Sequence, residues 1–420
     1  MDNITHTLVG LGVGELVHRC LPSEPAPARH GTRRRLLLTA CALASNFPDL
    51  DLLLTRTMPA PLGYLLQHRG HTHTVLYALP QALLLFALLW LLWPNARALL
   101  RASRPARWGL AATLVLGFGL HLGMDFLNSY GLHPFAPFNG HWFYGDTLFI
   151  VEPVFWILFG VPLALTLRRP LARAGALAVL AVVLVLCTWL AYLAWYALLA
   201  LLVLAAVLGT LARRSAPRAP AVYGLALVLG IAFVGLQASL SAVGKQRIGD
   251  ALVLADPAAR LRDVAMTAFP ANPLCWTFVS VESDEAAGTY RLRRGILSLV
   301  PRWLPAPSCP AALIGPADAT AARAGARLAP QIALLAEEND SLAALRQQQR
   351  GNCYFDAWLH FARAPSLVGD VASDYRFGDV PRGNFSTMQL SDFAGRARPA
   401  SIPPWGVPRA DLLAAPATPE

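Results

Sequence analysis

For its first 244 residues the chain alternates between long apolar runs and short polar gaps, and after that it changes character. Residues 74–93 and 109–128 are apolar over about 20 positions, the length a helix needs to cross a bilayer. Runs at 148–167 and 220–243 read the same way, and 174–211 is long enough for a hairpin of two tightly joined spans. The run 36–54 is broken by Asn46-Phe47-Pro48-Asp49-Leu50-Asp51, where Pro48 is expected to end or kink the helix. Residues 4–20 have a helical period but are short for a span, so a half-inserted helix is expected; Gly10, Gly12 and Gly14 there permit close helix contact. Residues 21–35 read as a Pro/Arg-rich loop. From about residue 245 acidic residues return, with strand-like segments at 275–281 and 289–299 and a charged helical segment at 331–350. A Pro/Ala-rich tail from Arg396 is expected to be disordered. The pattern predicts a mainly α fold: a polytopic membrane helical bundle followed by a small α+β extracytoplasmic domain. Its expected divisions are a membrane core at 1–165, further transmembrane helices at 166–244, the α+β domain at 245–395 and the tail at 396–420.

Composition supports the membrane assignment. The chain is 55% hydrophobic and 14% charged, against roughly 25% charged in soluble domains, and its mean hydropathy is +0.45. The net charge of +10 raises the question of nucleic acid. The arginines, however, cluster in short loops beside the apolar runs, at 21–35, 94–108, 168–173 and 212–219, as the positive-inside rule expects. Anionic membrane lipids are therefore the expected partners, and nucleic acid is not. With those loops in the cytoplasm of a bacterium, the loops 55–73 and 129–147 and everything after 244 fall outside the inner membrane. No basic segment precedes the first apolar run, so no cleavable signal peptide is expected. The six cysteines form no CxxC pair. Cys20, Cys41 and Cys187 read as small hydrophobes, whereas Cys275, Cys309 and Cys353 lie in the extracytoplasmic part, where one pair could form a disulfide.

That topology gathers the chemistry. Gln67-His68-Arg69-Gly70-His71-Thr72-His73-Thr74 places three histidines and an arginine just before a membrane helix. Imidazole offers nitrogen to a metal and guanidinium clamps phosphate. His121 and Asp125 stand one helical turn apart on one face, which Asn128 continues. The helix ends bearing Asp49, Asp51, His121 and Asp125 fall on the same outer side as His68, and His6 joins them if the first helix runs inward. Imidazole with carboxylate suits Zn²⁺, Mn²⁺ or Fe, and such cations activate water and polarise phosphoryl oxygens. Simpler roles exist for several of these groups. His18, His30 and His133 read as interfacial or loop histidines, and His71 as ligand or bystander. Asp146 and Glu152 could cap a helix starting near Leu148, and Arg69 could simply pair with Asp49 or Asp51.

In chain order, Met1-Asp2-Asn3-Ile4-Thr5-His6, Pro48-Asp49-Leu50-Asp51, His68-Arg69-Gly70-x-Thr72-His73-Thr74 and His121-x-x-x-Asp125-x-x-Asn128-Ser129-Tyr130-Gly131 resemble the YdjM-type family of membrane-bound metal-dependent hydrolases. Pro137-Phe138 and Ile150-Val151-Glu152-Pro153 continue the resemblance, which covers roughly residues 1–165. It implies a helical core distantly similar to zinc-dependent phospholipase C and P1-type nucleases, which hydrolyse phosphoesters with His/Asp-bound zinc. It further implies His6, Asp49, Asp51, His68, His73, His121 and Asp125 as metal ligands, while His71 falls at a variable motif position. Glu152 stands where the family tends to show Asp before Pro, so its carboxylate reaches differently. On this reading a metal-activated water attacks a phosphoester, with a lipid or lipid-linked phosphate as substrate. Asp49 or Asp51 orients or deprotonates the water, and Arg69 stabilises the developing charge. The alternative is a non-catalytic membrane scaffold or metal-responsive protein acting through its C-terminal domain. A transporter is disfavoured, because residues 153–244 contain no acidic side chain to line a path.

Overall fold

The computed structural model describes residues 1–216, 219–310, 327–378, 383–399 and 402–414. The N-terminal part is helical and the C-terminal part carries two antiparallel sheets. Helix α1 (Asn3–Cys20) lies inside the bundle against α2 (Pro27–Ala44), α6 (Arg104–Phe126) and α7 (Pro153–Leu165). Its glycines explain the fit: a Cβ at Gly10 would come within 2.9 Å of the Ala42 backbone, and one at Gly12 within 2.2 Å of the Phe159 ring. The expected loop 21–35 is shorter than the sequence suggested. Pro27 starts α2 at its first turn, where a missing N–H costs nothing, so the arginine patch rides on a helix. Arg33 is buried there and pairs with Glu24 at 3.1 Å.

Among the described residues, six helical stretches are long and apolar enough to cross a membrane: Pro27–Thr57, Val75–Leu92 (α4), Arg104–Phe126, Pro170–Trp189 (α8), Trp195–Arg214 (α9) and Ala221–Ala255 (α10). Helices α4 and α8 are barely covered by protein, as lipid-facing spans should be, whereas α6 is half covered. A short helix α5 (Pro94–Ala102) links α4 to α6, and the 13-residue α7 is apolar and buried along most of its length.

The division expected near residue 244 falls inside α10. That helix is 35 residues long, about 52 Å at 1.5 Å per residue, well beyond a hydrocarbon core of about 30 Å. Its last turns leave the bundle and pack on β1 (Arg260–Phe269), where Gly244 faces Met266 and Leu297. Strands β1, β2 (Asn272–Asp284), β3 (Thr289–Ser298), β4 (Arg327–Ala329) and β5 (Ile332–Ser341) form a sheet in the order β1-β2-β3-β5-β4. The segment 331–350 is therefore not one helix. Its first half pairs with β3, with Arg293 bonded across the strands to Glu337 at 2.9 Å, and only Leu342–Gly351 (α11) is helical, capped by Ser341. Cys275 and Cys309 form a disulfide, and Cys353 is free. After α12 (Cys353–Leu359), strands β6 (Pro365–Val368), β7 (Val371–Asp374) and β8 (Met388–Gln389) make the second sheet.

The tail departs from the expected disorder. Over 402–414 it folds back onto the membrane core and ends in a short helix, α13 (Ala410–Leu413). Trp405 is 2% exposed and donates its indole N–H to the Leu66 carbonyl at 2.8 Å. A Pro/Ala-rich composition hides one large aromatic and Leu412, and burying these anchors the segment. Residues 415–420 lie outside the described residues. One apolar core joins Met58, Leu62, Leu66, Tyr130 and Trp142 of the bundle's loops to Trp358, Phe361 and Tyr375 of the C-terminal part. Arg363 reinforces the joint, bonding both oxygens of buried Asp146 at 2.8 Å and Asp263 at 2.7 Å.

Candidate metal centre

Five short pieces of chain deliver the site. Asp2 caps α1, accepting from the backbone N–H groups of Ile4 and Thr5, and this sets His6 one turn into the helix. At the end of α2, Pro48 lies in the first turn of a 3₁₀ segment, Phe47–Thr57, that carries Asp49 and Asp51. The two carboxylates meet at His73, Asp49 beside its Nε2 and Asp51 beside its Nδ1. Helix α3 (Leu62–Gln67) ends at His68, and a second 3₁₀ turn, His71–His73, presents His73. The end of α6 supplies His121 and Asp125.

Asp51 knits the loop together. It accepts from the Arg69 backbone N–H at 2.9 Å and from the Thr72 hydroxyl at 2.8 Å, and it lies 3.0 Å from both His68 Nδ1 and His73 Nδ1. These contacts hold Arg69 at φ 59°, a left-handed conformation that costs a non-glycine residue energy. The Arg69 side chain then runs inward, with its Nε 3.0 Å from Asp125 Oδ2, an N–H donated to the Asn128 side-chain oxygen at 3.0 Å, and the guanidinium over the Tyr130 ring.

At the centre, His73 Nε2 lies 3.3 Å from Asp49, 3.4 Å from Asp125 and 2.9 Å from His121 Nε2. His121 donates its Nδ1–H to the Ser45 carbonyl at 2.8 Å. A carbonyl can only accept, so the proton is on Nδ1 and the Nε2 lone pair faces the cluster, the arrangement that readies an imidazole to ligate. His6 stacks on His121 with ring centroids 4.4 Å apart, and its Nε2 lies 3.1 Å from Asp125. The amino group of Met1 also contacts Asp125. Burial opposes charge on His73, but its hydrogen bonds with Asp125, Asp49 and Asp51 outweigh burial and raise its pKa to about 10. Three carboxylates thus converge where they draw a positive charge to their midst.

These residues fit a cation. Asp49, His73, His121 and Asp125 each offer a ligand atom within 4.8 Å of the others, and Asp49, Asp51 and His68 do the same, with Asp49 common to both sets. His6 reaches the site through Asp125. The remaining candidates stand apart. His71 packs on Trp405 and Tyr77. His133 lies between Trp142 and Trp405, and His18 and His30 face each other elsewhere. Asp146 belongs to the Arg363 joint. Glu152 caps α7, accepting from the Val154 and Ala271 backbones. Arg69 pairs with Asp125 through its side chain, not with Asp49 or Asp51. Sequence reasoning passed over Thr72, although it stands inside the His68–Thr74 motif, and over the Ser45 carbonyl, which no side-chain pattern announces.

The first 198 residues, which contain every member of this cluster, match the family model described as YdjM inner membrane protein. The match spans 198 of the 420 residues, just under half of the chain. With its six candidate spans, the chain is a multi-pass membrane protein, and the YdjM description places the family in the inner membrane. It is also 29% identical over 144 residues to the uncharacterized protein YfhP of Bacillus subtilis (strain 168), a stretch that is 34% of this chain and 39% of that protein. No solved structure matches. The YdjM region ends within α9, so the match does not cover α10 and both sheets.

Proposed function

We propose that the protein is a membrane-bound metal-dependent hydrolase that cleaves a phosphoester, lipid-linked in kind, at the outer face of the inner membrane. The observation that carries this reading is the pair of donor sets sharing Asp49 beside a buried arginine. A divalent cation bound there supplies an activated water and polarises a phosphoryl oxygen; zinc fits the His/Asp donors, as do manganese and iron. The chain's own groups divide the other work. Asp51 is committed to Arg69, Thr72, His68 and His73, and orients the loop. Asp49, 10% exposed against 1% for Asp51 and Asp125, keeps an oxygen open to orient or deprotonate water. Arg69, rigidly held, stabilises the charge that develops on phosphorus oxygens. Two features support the outer face: the arginine-rich loops gather at the other end of the bundle, and the Cys275–Cys309 disulfide suits an oxidising compartment.

The test is hydrolysis of a chromogenic phosphodiester by the detergent-purified protein. Activity that disappears on chelation, returns with added zinc or manganese, and is absent from Asp49→Ala supports the proposal. Activity unaffected by chelation, or no hydrolysis of diesters, monoesters or lipid phosphates by metal-loaded protein, sinks it and leaves the non-catalytic scaffold reading.

A further inference from the structure

The bundle holds a charged cavity at the end away from the His/Asp cluster. His6 and His18 stand twelve residues apart on α1, about 18 Å along its axis, and the cavity opens around His18. It encloses about 620 Å³ and is lined by Arg19, Arg34, Arg168 and Arg213 with one carboxylate, Glu15. Glu15 is already taken, bonded to Arg19 at 2.8 Å and Arg34 at 2.7 Å. Arg168 and Arg213 are exposed and have no acidic partner among the described residues. Tyr223 lines the same space; it is 1% exposed, and its buried hydroxyl has no hydrogen-bond partner among the described residues.

Directly beside it runs a groove of about 1360 Å³ between α1, α2, α7 and α8, sharing His30, Arg34, Thr166 and Arg168 with the charged cavity. Its walls are mostly apolar, formed by Leu8, Leu38, Leu163 and Leu180, and Val179 on lipid-facing α8 stands at its edge, 63% exposed. A basic mouth that continues into an apolar slot open to hydrocarbon suits a molecule with an anionic head and an acyl chain. A free phosphate would fill the mouth and leave the slot bare.

We propose that this double cavity binds one anionic glycerophospholipid, its phosphate among Arg34, Arg168, Arg213 and Tyr223 and one acyl chain in the groove. The site is separate from the His/Asp cluster and does not depend on its function.

The experiment is native mass spectrometry of the full-length protein, titrated with dioleoyl phosphatidylglycerol in zwitterionic lipid nanodiscs. Wild type retains one phosphatidylglycerol per chain, and neither phosphatidylcholine nor inorganic phosphate displaces it. At about 1 kcal/mol per surface arginine, the double variant Arg168→Gln/Arg213→Gln binds roughly thirtyfold more weakly. Val179→Trp, which obstructs the groove without touching the arginines, also loses the lipid. Arg101→Gln/Arg104→Gln, exposed arginines outside both cavities, leaves retention unchanged. The proposal fails if phosphatidylcholine is held equally, if inorganic phosphate competes fully, if Val179→Trp binds as wild type, or if the two double variants behave alike.

Discussion

Thr72 shows how much of the cluster rests on a group that belongs to neither donor set. Its hydroxyl donates to Asp51 and lies 3.0 Å from His73 Nδ1, so it fixes a carboxylate and an imidazole together. Thr72→Val keeps the shape and removes the hydroxyl; metal affinity should fall about 10- to 100-fold, measured by competition with a chromogenic chelator. Arg69 sits differently. Arg69→Lys keeps the charge but loses the planar fork shared between Asp125 and Asn128, so metal content should persist while phosphodiesterase kcat drops about 100-fold or more. Individual side chains were the most legible level in the sequence. His68, His73, His121 and the three aspartates announce themselves because polar groups this concentrated beside apolar helices demand partners. The motif also separated His71 from its neighbours, and in the fold that ring rests on Trp405. The Ser45 carbonyl, which sets the His121 tautomer, was illegible because backbone groups leave no trace in residue type.

Secondary structure was legible where hydrophobic period and length agreed, and misleading where tertiary pairing decided. Pro48 marked the break in the second apolar run, and the break became a 3₁₀ segment that sets Asp49 and Asp51 beside opposite nitrogens of His73. Residues 331–341 carry charges at a spacing that also suits a helix, and only pairing with β3 makes them a strand. The 3₁₀ segment depends in turn on α3, where Gly63 meets it with almost no space: a Cβ would lie 1.9 Å from the Thr55 carbonyl oxygen. Backbone cannot swing aside as a side chain can. Gly63→Ala should therefore cost about 1–3 kcal/mol, seen as a lower unfolding temperature in detergent, and should reduce metal content by shifting Asp51 away from His68.

On the scale of the whole molecule, the bundle and the C-terminal part share one apolar core. Composition changes near residue 245, but α10 carries through, and the tail returns across the chain to cover Leu66 beside the His68 loop. Such long-range returns leave only a stray tryptophan in the sequence. Arg363 is the electrostatic centre of the joint. Arg363→Ala strands Asp146, which is fully buried, with Lys245 as its remaining cation. Leaving a buried carboxylate short of its partner costs about 3–5 kcal/mol, so limited proteolysis should release the C-terminal part at temperatures where wild type resists. Whether the cluster is a metal centre is answered most directly by metal content. Elemental analysis of protein purified without added chelator should find at least one tightly held divalent cation per chain in wild type and a loss of most of it in His73→Ala and Asp125→Ala, both still folded. Wild-type protein that stays metal-free after incubation with zinc, manganese and iron, or variants that hold as much metal as wild type, would contradict a metal centre.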